Sequence, residues 1–141
     1  MTQSKIVVDS SVIVKWLNQD KEDNLDKADS LLADSQAGKI MLLAPALTKY
    51  EVGNVLVFSK KLSQKQADIA LTELYRIPVA FIPQSLELAL ETFRLAFKLN
   101  ITCYDASFLS LAKQYNATLV TDNIKDQGKK SEIKVISLKD Y

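Results

Sequence analysis

Five short apolar runs recur along the chain, each parted from the next by a longer stretch, and most of those stretches have helical periodicity. This alternation restricts the fold more than any other feature. The runs are Ile6-Val7-Val8, Met41-Leu42-Leu43, Val79-Ala80-Phe81-Ile82, Thr118-Leu119-Val120-Thr121 and Ile133-Lys134-Val135-Ile136. Short, continuous and rich in β-branched residues, such runs suit strands covered on both faces. Asp9-Ser10-Ser11 supplies capping side chains for a helix from about Ser11 to Leu17. Further helices are predicted from Asp23 to Ser35, Ala46 to Lys60, Ser63 to Tyr75 with Ser63 as N-cap, Gln84 to Leu99 and Asp105 to Tyr115. The fifth of these carries a 3.6-residue stripe of Leu86, Ala89, Leu90, Phe93 and Phe97, the last one of Phe108, Leu109, Ala112 and Tyr115. Three glycines and three prolines are too few for an all-β chain full of tight turns. Strands alternating with helices imply right-handed crossovers, so the expected fold is a single α/β domain over residues 1–141. It is a three-layer α/β/α sandwich around a central parallel sheet of about five strands. In such sheets ligands bind beyond the carboxyl ends of the strands, where the strand order reverses.

Composition removes whole classes of chemistry. The chain has no histidine, which excludes Ser-His-Asp and Cys-His catalysis, imidazole acid–base shuttles and zincin motifs. A single cysteine, Cys103, allows no intrachain disulfide and no cysteine-rich zinc site, and is expected to be a small, semi-buried side chain. Carboxylates, hydroxyls, lysines and a hard divalent metal are left to perform any reaction. Eighteen Lys and Arg against seventeen Asp and Glu give a net charge of +1, unlike a strongly basic nucleic-acid binder. Lys60-Lys61 and the cluster from Lys125 through Lys130 are expected to be solvated surface, and Trp16 and the phenylalanines core or interface. No signal-peptide core and no stretch approaching the ~18 apolar residues of a membrane span is evident, so a reducing, cytoplasmic setting without membrane contact is expected.

The informative residues are acids that break the hydrophobic pattern. Asp9 follows the first strand directly and Asp122 follows Thr121, which places both at the carboxyl ends of strands. Glu51 shares a helix face with Leu47, Val55 and Phe58, and Asp105 shares one with Phe108, Leu109 and Ala112. A buried, unpaired carboxylate is costly; it shifts its pKa, finds a cation or binds a metal. No Arg or Lys is expected on the same faces, so a divalent cation would resolve the repulsion among the four. Each acid alone has an ordinary reading as well. Asp9 could cap the first helix, Asp105 could favour a helix N-terminus, Glu51 could reach from the edge of a stripe, and Asp122 could belong to a turn.

The segment Val7-Val8-Asp9-Ser10-Ser11-Val12-Ile13-Val14-Lys15-Trp16 resembles the first motif of the PIN-domain nucleases, in particular the VapC-type toxins of toxin–antitoxin pairs. Leu47 to Leu56 is similar to the helix that carries the family's second acid, and Thr102 to Asn123 to its third block. Together the three blocks span essentially the whole chain in the family's order. The last motif departs from the usual pattern, in which the fourth acid would stand at 123; here Asn123 occupies it, with Asp122 beside it.

The resemblance implies a metal-dependent endoribonuclease that hydrolyses RNA phosphodiester bonds. Mg²⁺ or Mn²⁺, which take hard oxygen ligands, suit a carboxylate site. Asp9, Glu51 and Asp105 carry over directly as catalytic and metal-binding residues. Asp9 and Asp105 are expected as direct ligands, and Glu51 as a ligand through water or an orienter of the nucleophile. Asp122 or Asn123 is expected to complete the site, with Asn123 facing it and Asp122 partly capping the following turn. Ser11 and Thr121 are expected to hold carboxylates or water. A VapB-like antitoxin and a homodimer are further implications. The surplus of apolar residues among Val52, Leu56, Val57, Phe58, Leu62, Ile69, Leu71 and Leu74 is what an interface would need. Competing readings are an inert PIN-like scaffold, a signalling receiver domain and a haloacid-dehalogenase-like phosphatase. The second wants a phosphoacceptor after the third strand, where Ile82-Pro83 stands, and the third wants Asp-x-Asp where Asp9-Ser10-Ser11 stands.

Overall fold

The computed structural model describes residues 3–122, 124 and 132–141. Five strands, β1 (Ser4–Val8), β2 (Ile40–Pro45), β3 (Val79–Ile82), β4 (Thr118–Thr121) and β5 (Val135–Ser137), form one sheet in the order β3-β2-β1-β4-β5. Every neighbouring pair is parallel, with Val7 opposite Leu43 on one side and Leu119 on the other. The helices are α1 (Ser10–Leu17), α2 (Leu25–Gln36), α3 (Thr48–Asn54), α4 (Gln64–Leu74), α5 (Leu86–Leu99) and α6 (Cys103–Gln114). The expected three-layer α/β/α architecture is therefore present. Among the described residues no helix is long and apolar enough to cross a membrane.

Alternation along the strands builds two cores. Ile6, Val8, Leu42, Ala44 and Val120 point to one face and pack with Val12, Ile13, Leu31, Val52, Leu56 and Leu74 of α1–α4. Val7, Leu43 and Leu119 point to the other and pack with Leu88, Leu95, Phe108, Leu109 and Leu111 of α5 and α6. From β1 the chain moves outward to β2 and β3, then crosses the sheet through α5 and α6 to β4 on the far side of β1. The order thus reverses between β1 and β4. The carboxyl ends of these two strands carry Asp9 and Asp122.

Local chemistry sets the helix starts. Ser63 and Gln66 form a reciprocal capping box at α4, and Ser85 and Thr102 cap α5 and α6 through the N–H groups of Leu88 and Asp105. The single helix expected from Ala46 to Lys60 is instead α3 followed by a π-helical turn at Val55–Ser59, closed by the Lys60 N–H donating to Val55 O at 2.8 Å. That extra residue in the turn breaks the 3.6-residue register. Thr48, Val52 and Leu56 are buried while Phe58 is 74% exposed, so Glu51 borders the buried face and does not share it with Phe58. Strand β5 begins at Val135, two residues later than the apolar run suggested.

Two further expectations change. Of the eight apolar residues proposed as surplus between Ala46 and Tyr75, Val52, Leu56 and Leu74 lie in the core and Leu62 and Leu71 pack partly buried against it, leaving Val57, Phe58 and Ile69 exposed. The α5 stripe faces outward: Leu86, Leu90, Phe93 and Phe97 are exposed, and Leu88, Thr92 and Leu95 make the packed face. Both faces of α5 carry apolar residues, and α6 can cover only one. The buried Thr92 and Ser110 hydroxyls join the two helices at 2.6 Å. Leu119→Ala, at a fully buried position, is expected to cost about 2–5 kcal/mol in urea denaturation. Leu86→Ala, at a position 77% exposed, is expected to stay within about 0.5 kcal/mol. Equal losses at the two positions would contradict the orientation of α5.

Candidate active site

Asp9 sits where β1 ends and α1 begins. Its extended backbone makes it the N-cap, and its Oδ1 accepts from the Val12 N–H at 3.3 Å. Ser11 Oγ donates to the same oxygen at 2.5 Å, and Thr121 Oγ1 at the end of β4 donates to Oδ2. Capping and site chemistry, alternatives in the sequence, thus belong to one side chain. Burial pushes the Asp9 carboxyl above its usual range, the Asp122 charge adds to this, and the bonds from Ser11, Thr121 and Val12 oppose it. Ser11 and Thr121 thus each bond one oxygen of the Asp9 carboxylate.

Glu51 projects from α3 beside this position. Burial, then the charges of Asp9 and Asp105, push its carboxyl up to about 7. Its buried Oε1 has no hydrogen-bond partner among the described residues, nor has the Thr48 hydroxyl in the preceding turn. Buried polar atoms are nearly always paired, so this leftover oxygen is an unsatisfied acceptor on a side chain that already feels the charges of two other acids. Asp105 is half-buried in the first turn of α6, ahead of buried Phe108, Leu109 and Ala112. Asp9, Glu51 and Asp105 therefore come from three elements to one electrostatically coupled cluster. Hard carboxylate oxygens of this kind fit Mg²⁺ or Mn²⁺. Among the described residues no three acidic side chains are drawn close enough to enclose an ion as they stand.

The fourth acid differs from expectation. Asp122 does reach this edge, and its backbone N–H donates to Ser11 Oγ at 3.2 Å, linking it to Asp9 through one hydroxyl. Its carboxylate, however, is 3.0 Å from the Lys15 ammonium, with Asn24 Nδ2 at 3.4 Å from the other oxygen. Asn123 lies outside the described residues, as does the cluster from Lys125 through Lys130.

Lys15, 2% exposed, is the residue that sequence reasoning missed. It corrects the expectation that no basic side chain accompanies the acids. Besides Asp122 it contacts Glu22 Oε1 at 2.9 Å and Asp23 O at 2.7 Å. Burial alone would depress its pKa, but the bonds and charges of Glu22 and Asp122 outweigh that and raise it. Glu22 also accepts from Lys60 at 2.6 Å; burial opposes its ionisation, yet the two lysines hold its carboxyl below the usual range. Lys60 is thus part of an ion-pair network and not solvated surface. The available signal was a lysine inside the apolar run Val12 to Leu17, a position that only a charge partner makes tenable. Cys103 is exposed, contrary to expectation, and lines an apolar cavity of about 260 Å³ with Pro45, Phe93 and Tyr104.

The fold is shared with solved toxin–antitoxin proteins. The VapBC2 complex of Rickettsia felis, bound to a promoter DNA fragment, superposes with a TM-score of 0.72 at 20% identity, covering 94% of this chain and 98% of that one. DNA-bound VapBC of Salmonella typhimurium gives 0.68 at 14% identity over 96% and 99%. VapC20 of Mycobacterium tuberculosis, a toxin that cleaves the sarcin–ricin loop, gives 0.63 at 14% over 81% and 86%. No curated protein matches the chain. The PIN domain family model matches residues 6–128, which include all four acids, the carboxyl-terminal part of β1 and the whole of β4. The chain belongs to the PIN-domain family.

Proposed function

We propose that this chain is a divalent-metal-dependent endoribonuclease of the VapC kind, acting in the cytoplasm on RNA. The observation that carries the reading is Glu51, a half-buried carboxyl with one buried, unpartnered oxygen and a pKa raised first by burial and then by the charges of Asp9 and Asp105. Asp9, Glu51 and Asp105 would hold Mg²⁺ or Mn²⁺, with Asp122 at the rim. Bound there, the ion would supply charge neutralisation at the scissile phosphate and at the leaving oxygen. Asp9 is fixed for this by Ser11, Thr121 and the Val12 N–H, so its carboxylate needs little reorganisation. Glu51, with one oxygen left without a partner, is the group suited to orient a water beside the ion. A VapB-like antitoxin and a second copy of the chain are the proposed protein partners. The likeness to VapBC complexes supports the first, and the outward α5 stripe supports an interface of either kind. A PIN-like scaffold with weak or no activity is the alternative, favoured by the commitment of Asp122 to Lys15.

Purified chain is expected to cleave RNA in Mg²⁺ or Mn²⁺ and to stop in EDTA. Asp9→Asn is expected to lose about a thousandfold in rate, the several kcal/mol a metal supplies, with its fold retained. Wild-type rates in Asp9→Asn would refute the site, and an inactive wild type would favour the scaffold.

A second expectation concerns pH. The Glu51 carboxyl stands at about 7 in the fold against an ordinary 4.5, so the folded state favours its protonated form. The stability this contributes is complete below about 4.5 and lost as pH rises to about 7. In metal-free protein, urea denaturation of wild type relative to Glu51→Gln is expected to weaken across that window and level off above it. Metal affinity should run the other way, falling as pH drops below about 7. A gap between the two proteins that does not change with pH would remove Glu51 from the cluster.

A further inference from the structure

We propose that the apolar cavity beside Asp105 is a base subsite. It takes one unstacked nucleobase of a single-stranded RNA whose phosphate lies at the acids, with the Tyr104 ring as stacking surface and Gln84 at the hydrogen-bonding edge. This rests on the nuclease reading above and adds to it the form in which RNA is recognised.

The cavity, of about 260 Å³, is walled by the helices that carry two of the acids. Leu47 lines it one helical turn before Glu51, and Cys103 and Tyr104 line it immediately before Asp105 in the first turn of α6. Leu88 of α5 adds a further apolar wall. Although it lines a cavity, Tyr104 is 58% exposed, so its ring is open to a ligand and not spent on the core. A nucleobase has apolar faces and a polar edge, and bases taken out of a strand's stack are held on aromatic rings of this kind. In a duplex the bases stay paired and stacked, which restricts the subsite to single strands. The polar groups of the lining suit the edge. Gln84 carries a donor and an acceptor on one planar amide, and its side chain makes no hydrogen bond among the described residues. Ser107 Oγ donates to Tyr104 O at 2.6 Å, which commits its proton and leaves the oxygen able to accept.

Charge complementarity serves the backbone of the same strand. Lys49, in the first turn of α3 and two residues after Leu47, holds its ammonium 4.3 Å from the centre of the Tyr75 ring and 4.8 Å from that of Phe81. Among the described residues it makes no ion pair. A cation steadied by two rings and committed to no carboxylate is available to a phosphate. The cavity thus offers a base contact and Lys49 a backbone contact, the division of labour usual in nucleic-acid recognition.

The test compares a single-stranded RNA oligonucleotide of mapped cut site with two copies, each made abasic at one of the nucleotides flanking the cut. In Mn²⁺, wild type should lose about tenfold or more in kcat/KM on one abasic copy, the loss expected where a stacked base is removed. Tyr104→Ala should show the same loss on intact RNA, mainly in KM, and no further loss on that abasic copy. Tyr104→Phe should behave as wild type, and Cys103→Trp, which fills the cavity, should match Tyr104→Ala. Circular dichroism confirms folding; where Cys103→Trp fails to fold, the two Tyr104 variants decide. Equal cleavage of intact and abasic RNA by wild type, an equal loss in Tyr104→Ala on both, or a wild-type KM in folded Cys103→Trp would each overturn the inference and leave the nuclease reading standing. A Tyr104→Ala chain that changes its association in light scattering and slows both RNAs alike would give the cavity to a second copy of the chain, which also overturns it. An inactive wild type would remove the nuclease reading. The subsite is then decided by 2-aminopurine placed at each position of the oligonucleotide in turn: a fluorescence change with wild type that Tyr104→Ala abolishes supports it, and no change removes it.

Discussion

One buried carboxylate ties the molecule together at its switch point. Asp9 ends β1, caps α1 and receives the Thr121 hydroxyl from the end of β4. These are the two strands between which the sheet order reverses. A crevice at that place is a property of any sheet of this order. What makes it chemically useful here is that a negative charge is buried at its base by bonds that also hold the two halves of the sheet in register. The raised pKa of Asp9 reflects the cost of that arrangement, and the three donors make the charge tolerable without using all the oxygen lone pairs.

The remaining charges are arranged around this one in two groups of different character. Glu51 stands near Asp9 and Asp105 as like charges, and burial together with their repulsion raises its pKa. Glu22 and Asp122 are matched by lysines. The α1 helix serves both, presenting Asp9 and Ser11 at its start and Lys15 at its end. A helix of eight residues thus separates the lysine-paired acids, Glu22 and Asp122, from Asp9, which is held by hydroxyl and backbone donors.

Much of this was legible in the sequence, and the limits follow from the physics of each signal. Strands such as Val79–Ile82 and Thr118–Thr121 were read to the residue because an apolar run in a parallel sheet has nothing to confuse it with. Asp9, Glu51 and Asp105 stood out because an acid in an apolar pattern is expensive and therefore conspicuous. The π-helical turn at Val55 was illegible, since a single extra residue leaves composition and hydrophobicity unchanged while rotating everything after it. The outward orientation of the α5 stripe was not legible, because periodicity reveals that a helix has an apolar face and is silent on what covers it. Lys15 was overlooked because Asp122 is distant in the chain and Glu22, though near, lies beyond the end of α1, so both meet it only through the fold.

The outward face of α5 has a consequence for the chain as a solute. Leu86, Leu90, Phe93 and Phe97 stand in a row on the surface of a molecule whose formal charge is +1 and whose isoelectric point is near 7.7. Electrostatic repulsion between molecules is close to nil at neutral pH, and nothing offsets the attraction between such rows. Uncovered, the chain has low colloidal stability under the conditions in which it would work. Its usable concentration is then set by whatever covers that helix, so a surface remote from the carboxylates controls how much of the protein can exist in free form.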